Sequence, residues 1–126
     1  MRSMRWLLDS NLDAAVAAAL VRHEQQVRDA ASLALPATDP ATLLGAAAKE
    51  QLELITADFA VVDFCFAQKF WFRRVMVYLQ LSGGDVEQDD AIDRLFKRYK
   101  RLTPGRLYTV TANRVKVRQL PARQPA

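Results

Sequence analysis

The hexapeptide Trp6–Asn11, with the sequence WLLDSN, decides how the rest of the chain is interpreted. Its first three residues form a short apolar run that polar residues close, and such a run is typical of a strand buried on both faces. Asp9 then lies at the carboxyl end of the predicted strand, and Asn11 is a suitable N-cap for the alanine-rich helix predicted at Leu12–His23. Ligands of open parallel sheets bind just beyond the carboxyl ends of strands, so Asp9 is a candidate site residue. The alternative is that Asp9 only ends the strand.

The composition of the chain excludes several classes of protein. Its 126 residues suit a single domain, expected at 1–121 with a disordered tail at 122–126. One cysteine and one histidine exclude an internal disulfide and a Cys/His zinc site, and they fit a reducing, cytoplasmic compartment. No signal-peptide pattern is present, and the longest apolar stretch, Phe59–Phe72, contains Asp63 and Lys69, so no membrane span is expected. The net charge of +4 is compatible with a polyanionic partner without requiring one.

Strand and helix patterns alternate along the chain. Strands are predicted at Gln26–Asp29, Leu52–Ile55 and Val75–Leu79, helices at Asp39–Gln51 and Asp85–Leu102, a loop at Ala30–Thr38, and a terminal hairpin at Leu107–Thr111 and Arg114–Arg118. Asp85 and Gln88 form a capping-box pattern, and the acidic start and basic end of that helix complement its dipole, so its acids are not interpreted as a metal site. In the hairpin, Val115 and Val117 are expected on the buried face. The repeated order predicts right-handed crossovers and a three-layer α/β fold, with a mostly parallel sheet and the hairpin at one edge.

The segment Phe59–Phe72 holds most of the aromatic residues of the chain. It is interpreted either as an irregular helix that covers the sheet or as a partner surface. Phe59 and Phe64 are expected in the core. The consecutive residues 70–72 (Phe-Trp-Phe) cannot all face inward from a regular element, so at least one of them is expected near the surface. A large apolar patch there would mark a partner site, and a two-fold homodimer is the commonest arrangement that buries one.

Three acids stand at the junctions of predicted elements: Asp9, Asp39 and Asp58. Asp9 and Asp58 emerge at the same edge of a parallel sheet if their strands are neighbours, and Asp39 reaches that edge only if its helix begins there. Carboxylates about 4 Å apart repel by roughly 4 kcal/mol per pair at an effective dielectric constant of about 20, so a cation would stabilise the group. Hard oxygen ligands suit Mg²⁺ or Mn²⁺, which activates water and stabilises charge on a phosphodiester. Alternatively, Asp39 is a helix cap and Asp58 a strand terminator.

The segments LLDSN at 7–11, Thr38-Asp39 and LITAD at 54–58 resemble motifs of the PIN-like nuclease domains. The most similar branch has an LLDEN-type N-terminal motif and a later T-x-D-x-D-F motif, and many of its members look like toxins of toxin–antitoxin pairs. The resemblance covers nearly the whole chain, because the later strand, long helix and basic hairpin also follow the family order.

What the resemblance implies is a metal-dependent ribonuclease with RNA as substrate, an antitoxin protein as partner, and a homodimer. Asp9, Asp39 and Asp58 match the acids that bind Mg²⁺ or Mn²⁺, and Asn11 and Thr56 match supporting positions. Two departures remove negative charge: Ser10 stands where the motif often has Glu, and Phe59-Ala60 replaces the second x-D, which leaves Asp63 as the nearby substitute. The candidate contacts to the RNA backbone are Arg73, Arg74, Arg114, Lys116 and Arg118. The alternative function is a catalytically inactive PIN-like module that binds protein or RNA.

Overall fold

The computed structural model describes residues 3–29 and 39–122, and it contains six strands and four helices in that part of the chain. In chain order the elements are β1 (Arg5–Leu8), α1 (Ala14–Arg22), β2 (Gln26–Asp29), α2 (Pro40–Lys49), β3 (Glu53–Thr56), α3 (Phe59–Ala67), β4 (Met76–Leu79), α4 (Asp85–Arg98), β5 (Arg106–Val110) and β6 (Val115–Gln119). The predicted loop at 30–38 and the tail beyond residue 122 lie outside the described residues. No helix among the described residues has the length and apolar composition to cross a membrane.

The six strands form one sheet in the order β2-β1-β3-β4-β5-β6. The first five strands in this order are parallel to one another, and β6 pairs antiparallel with β5. The predicted sheet, mostly parallel with a terminal hairpin at one edge, is therefore confirmed. The weakly patterned strand β2 also forms where the sequence predicts it, at Gln26–Asp29.

Two helices pack on each face of the sheet, which confirms the three-layer α/β fold. Successive strand residues point to opposite faces, so Leu8 and Val77 pack with α1 and α4, whereas Leu7 and Met76 pack with α2 and α3. Both faces of the central strands are buried, and this explains why Trp6–Leu8 of β1, Leu54 and Ile55 of β3 and Met76–Leu79 of β4 are apolar without alternation.

The faces occupied by the helices also determine the hand of the crossovers. The connection through α1 runs toward the β2 edge, whereas those through α2, α3 and α4 run toward the β6 edge. Because α4 shares a face with α1 and not with α2 and α3, its crossover has the opposite hand to the other three. The prediction of uniformly right-handed crossovers is therefore wrong. Packing against α1 holds α4 on this face, where Arg22 of α1 pairs with Asp89 and Asp93 of α4 at 2.6 and 2.8 Å.

Two predicted caps are also wrong. Asp13, not Asn11, is the N-cap of α1, and its side chain accepts a hydrogen bond from the Ala15 amide at 3.0 Å. Gly84 caps α4 without a side-chain bond, so the predicted capping box does not form. The Gln88 side chain instead accepts a hydrogen bond from the Asp13 amide at 2.9 Å, which fixes the start of α1 against α4.

The aromatic segment divides into the regular helix α3 and a short connection to β4. Phe72 is buried and Trp71 is 44% exposed, so the prediction that one of these aromatics reaches the surface is confirmed. Phe64 is half-buried against the core, but Phe59 is 57% exposed, and the prediction that it fills the core is wrong. Phe59 begins α3 at the rim of the sheet, and the core contacts of that helix come from Val61, Val62 and Cys65.

The hairpin also differs from the prediction at one position. Val115 is half-buried, as expected, but Val117 is exposed because β6 is the edge strand of the sheet.

Candidate functional site

The order of the strands places Asp9 at a point where the direction of the chain connections reverses. The chain leaves β1 toward the β2 edge and leaves β3 toward the opposite edge, although β1 and β3 are neighbours. Open parallel sheets bind ligands at such a topological switch point, just beyond the carboxyl ends of the strands. Asp9 directly follows β1, Thr56 ends β3, and Asp58 follows two residues later, so the site begins with these three residues.

The Asp9 carboxylate is buried, with 7% of the residue exposed, and hydrogen bonds orient both of its oxygens. Its Oδ2 accepts from the Thr56 hydroxyl at 2.6 Å, and its Oδ1 accepts from the Ser10 amide at 2.7 Å. None of the ion pairs in residues 3–29 and 39–122 includes Asp9 or Asp58. A buried carboxylate without a cationic neighbour is costly, so this position favours a cation.

Thr56 links the two acids. Its buried hydroxyl donates to Asp9 and accepts a hydrogen bond from the Asp58 amide at 3.0 Å. Asp58 is half-buried and caps α3, with its Oδ1 accepting from the Ala60 amide at 2.9 Å. The other oxygen of Asp58 accepts no hydrogen bond from the described part of the chain. One hydroxyl therefore positions Asp9 and the start of the Asp58 segment, and an oxygen of Asp58 is left for a ligand.

Asp39 and Asp63, the other predicted metal ligands, do not join this pair. α2 does begin at the same edge of the sheet, because it returns the chain from the carboxyl end of β2 to the start of β3. Asp39 is exposed there, and its two oxygens accept from the Ala41 amide and the Thr42 hydroxyl at 3.1 and 2.6 Å. Asp63 lies on the exposed side of α3. Across 3–29 and 39–122, no three acidic, histidine or cysteine side chains are placed to hold one metal ion.

The supporting residue Asn11 is exposed and makes no side-chain hydrogen bond within the described ranges, so the structure assigns it neither the capping role nor a contact with Asp9.

A row of polar side chains extends from the two acids across the sheet. Thr56 is in register with Tyr78, Tyr78 with Thr109, and Thr109 with Lys116. Leu8 is in register with Ile55, so the next residues along each strand, Asp9 and Thr56, lie side by side, and Asp9 is the first residue of the same row. We call these five residues the polar row. It lies on the face that α2 and α3 cover, and it runs from a buried acid to an exposed lysine at the edge strand.

An aromatic pair and a cavity adjoin the polar row. The rings of Phe59 and Tyr78 have centroids 6.0 Å apart. Burial, and then the negative charge of Asp58, raise the pKa of the Tyr78 hydroxyl above its ordinary value. A cavity of about 370 Å³ lies beyond the ends of β3 and β4, and Tyr78, Gln80, Ser82 and the turn residue Ala112 contribute to its lining. The sequence does not single out Tyr78, although a polar aromatic near the end of an otherwise apolar strand is a signal that could have found it.

The predicted RNA-binding arginines separate into two groups. Arg73 and Arg74 precede β4 and therefore lie at the opposite edge of the sheet from Asp9. Arg74 forms an ion pair with the buried carboxylate of Glu53 at 2.8 Å, and Arg73 lies over the Trp71 ring at 5.0 Å. These two arginines are therefore remote from the candidate site.

Two of the three predicted RNA-binding residues of the hairpin lie nearer to the candidate site, whereas Arg118 is in register with Leu107 toward the opposite end of β5. Arg114 belongs to the turn at the carboxyl end of β5, and Lys116 ends the polar row. Arg118, which was expected to face outward, is exposed but stacks over the Phe66 ring at 3.9 Å.

Comparison of the chain with protein-family models, with curated proteins and with solved structures finds no match. The structure by itself defines an α/β protein with a pair of acids at a topological switch point. The resemblance to PIN-like domains rests on the short motifs of the sequence.

Proposed function

We propose that the protein is a metal-dependent ribonuclease of the PIN-like type, with Mg²⁺ or Mn²⁺ held by Asp9 and Asp58. The observation that supports this proposal best is the Asp9 carboxylate, which is buried without a cationic partner among residues 3–29 and 39–122 and shares the Thr56 hydroxyl with the Asp58 segment. Ser10 contributes through its amide rather than its side chain, so the absence of a motif glutamate leaves this part of the site intact.

The residues present fit a hydrated divalent ion. Mg²⁺ is commonly bound through one or two carboxylates, with waters and substrate phosphates completing its shell, so two acids suffice. The available donors are hard oxygens: one oriented carboxylate and a second carboxylate with an oxygen that accepts no hydrogen bond from the described residues. A bound ion of this kind supplies activation of water and stabilisation of charge on a phosphodiester. In the protein itself, Thr56 positions the acids through its hydrogen bonds. Lys116 and Arg114 are the residues that bind the RNA backbone in this proposal.

The test is cleavage of single-stranded RNA with Mn²⁺, with EDTA, and in matched Asp→Asn variants. Asp9→Asn and Asp58→Asn should abolish cleavage, whereas Asp63→Asn, an exposed acid on α3, should keep wild-type activity. Asn is as good an N-cap as Asp, so Asp58→Asn removes charge without removing the cap of α3. Cleavage that persists in EDTA or survives Asp9→Asn would contradict the proposal.

A second candidate is a PIN-like module that binds RNA or protein without cleaving, and a specific observation favours it. No three possible metal ligands converge in the described part of the chain, and Asp9 already has both carboxylate oxygens hydrogen-bonded. The two candidates differ in their response to metal. An ion that binds only the folded state at ten times its dissociation constant stabilises by about 1.4 kcal/mol. A rise in Tm with Mn²⁺ that is lost in Asp58→Asn supports the nuclease, and its absence supports the module.

Under either candidate, we propose that the hairpin contacts RNA phosphates. Neutralising Arg114 and Lys116 should weaken the binding of different RNA sequences about equally. It should also reduce the salt dependence, with a slope change of about 0.7 for each lost phosphate contact on a single strand. Arg73→Gln is the matched control, because this arginine lies at the opposite edge. An unchanged slope would mean that the charges of β6 only protect an exposed edge strand from pairing.

A further inference from the structure

Phe59 is a large apolar side chain that the fold does not use for packing its core. It is 57% exposed, it directly follows Asp58, and it opens α3 at the edge of the sheet where the candidate site lies. Its aromatic neighbour is Tyr78 of the polar row, whose ring is tilted by 55° to that of Phe59. An exposed phenylalanine beside a polar site is a feature that a ligand with a flat apolar face would explain.

The groups around this aromatic pair match the parts of a nucleotide. Tyr78 belongs both to the aromatic pair and to the lining of the 370 Å³ cavity, which includes the polar residues Gln80 and Ser82. A volume of roughly this size is typical of sites for small organic ligands. Lys116 lies two strands from Tyr78 in the same row, about 10 Å away at the usual spacing of strands. An aromatic surface at Tyr78, the hydroxyl of Thr109 and the cation of Lys116 therefore follow one another along the polar row, and the cavity adjoins it at Tyr78.

We propose that Phe59 and Tyr78 form a stacking subsite for an unpaired base of single-stranded RNA, with the adjoining backbone following the polar row toward Lys116. The inference rests on the proposed function for the identity of the substrate, and it deepens that function by naming the side chains that bind a base. Stacking on aromatic rings is how proteins bind splayed bases, and a base inside an intact duplex cannot offer its face in this way. The subsite therefore selects single strands over duplexes.

The experiment measures the binding of fluorescein-labelled oligoadenylate by fluorescence anisotropy in EDTA, where metal-dependent cleavage is blocked. Removal of one stacked base contact corresponds to about a 5- to 150-fold loss of affinity. Phe59→Leu, which keeps an apolar side chain but no ring, should show a loss in this range, and Phe59→Trp should bind at least as tightly as wild type. Trp71→Leu removes an exposed aromatic from the opposite edge and should bind as wild type. Duplex RNA should bind weakly, with no difference between wild type and Phe59→Leu.

The outcomes separate this inference from the proposed function. Equal affinities of wild type and Phe59→Leu, or an equal loss in Trp71→Leu, would overturn the stacking subsite even if Mn²⁺-dependent cleavage is observed. A selective loss in Phe59→Leu would support the subsite even if no cleavage occurs with Mn²⁺, in which case the nuclease proposal alone fails. No binding of single-stranded RNA by the wild type would overturn the inference. Unchanged Tm values of the variants confirm that the substituted surface is not needed for folding.

Discussion

Replacing Thr56 by valine tests the hydrogen bonds that hold the candidate site together. Valine has nearly the shape of threonine, so the change removes a hydroxyl from a fully buried position without opening a large cavity. The lost groups are the donor to Asp9 Oδ2 at 2.6 Å and the acceptor for the Asp58 amide at 3.0 Å. Of the two hydrogen bonds that the Asp9 carboxylate now accepts, only the one from the Ser10 backbone amide would then remain.

The size of the effect follows from these two bonds. A hydrogen bond to a charged group contributes about 1.5–3 kcal/mol, and a neutral one about 1 kcal/mol. Thr56→Val should therefore lower the free energy of unfolding by about 2–4 kcal/mol, a large part of the ~5–15 kcal/mol typical of a domain. Thr56→Ser keeps the hydroxyl and loses one buried methyl group, so it should cost only about 1 kcal/mol.

Urea unfolding followed by tryptophan fluorescence measures both variants, because Trp6 is fully buried in the folded chain. A double-mutant cycle with Asp9→Ala should give a coupling energy between Thr56 and Asp9 within the range of about 0.5–3 kcal/mol found for residues in contact. Equal stabilities of Thr56→Val and Thr56→Ser, or a coupling energy near zero, would refute the claim that this hydroxyl supports the Asp9 carboxylate.

Three further predictions concern other parts of the fold. The hydrogen bond from His23 holds the pKa of the Asp93 carboxyl below its ordinary value, so its stabilising contribution is present above about pH 4 and is lost as the pH falls through the folded value. The urea midpoint should thus fall less steeply in acid in Asp93→Asn than in the wild type. Identical pH profiles of the two proteins would contradict a stabilising contribution of the His23–Asp93 hydrogen bond. Burial raises the pKa of the Cys65 thiol to about 11, so Ellman's reagent should react with this thiol only as the chain unfolds. Fast reaction of the native protein would contradict the protection of Cys65 by burial. The exposed Trp71 should mediate a homodimer that Trp71→Glu converts to a monomer in light scattering, and a wild-type monomer at tens of micromolar ends that idea.

The elements of this fold could be predicted because their signals are local. The apolar runs of β1 and β4 are too short for helices, and the pair Asp39-Pro40 has the residues preferred at a helix start. The start of α1 could not be predicted in the same way. Asn11 and Asp13 are both good N-caps, and the bond that fixes Asp13 comes from Gln88, which is 75 residues away.

The contact between Asp9 and the end of β3 could be predicted only conditionally, because local sequence does not determine which strands are neighbours. The order of the strands makes β1 and β3 adjacent, and their register then brings Asp9 beside Thr56. The position of Tyr78 beside Thr56 depends on the register of β3 and β4, so it could not be predicted without the order of the strands in the sheet. The hand of the α4 crossover differs from that of the other three, and α4 packs on the same face as α1, a helix distant from it in the chain.

The helix caps explain why the metal is assigned to Asp58 and not to Asp39, although each acid begins a helix at the same edge of the sheet. Capping occupies one oxygen of Asp58, so this residue can cap α3 and bind an ion with the same conformation. Capping and the Thr42 hydroxyl occupy both oxygens of Asp39, so binding an ion there would require it to give up a hydrogen bond. Since Asn caps a helix as well as Asp, neither Asp→Asn change should unfold its helix. The assignment therefore requires that Asp58→Asn abolish the stabilisation by Mn²⁺ and that Asp39→Asn preserve it.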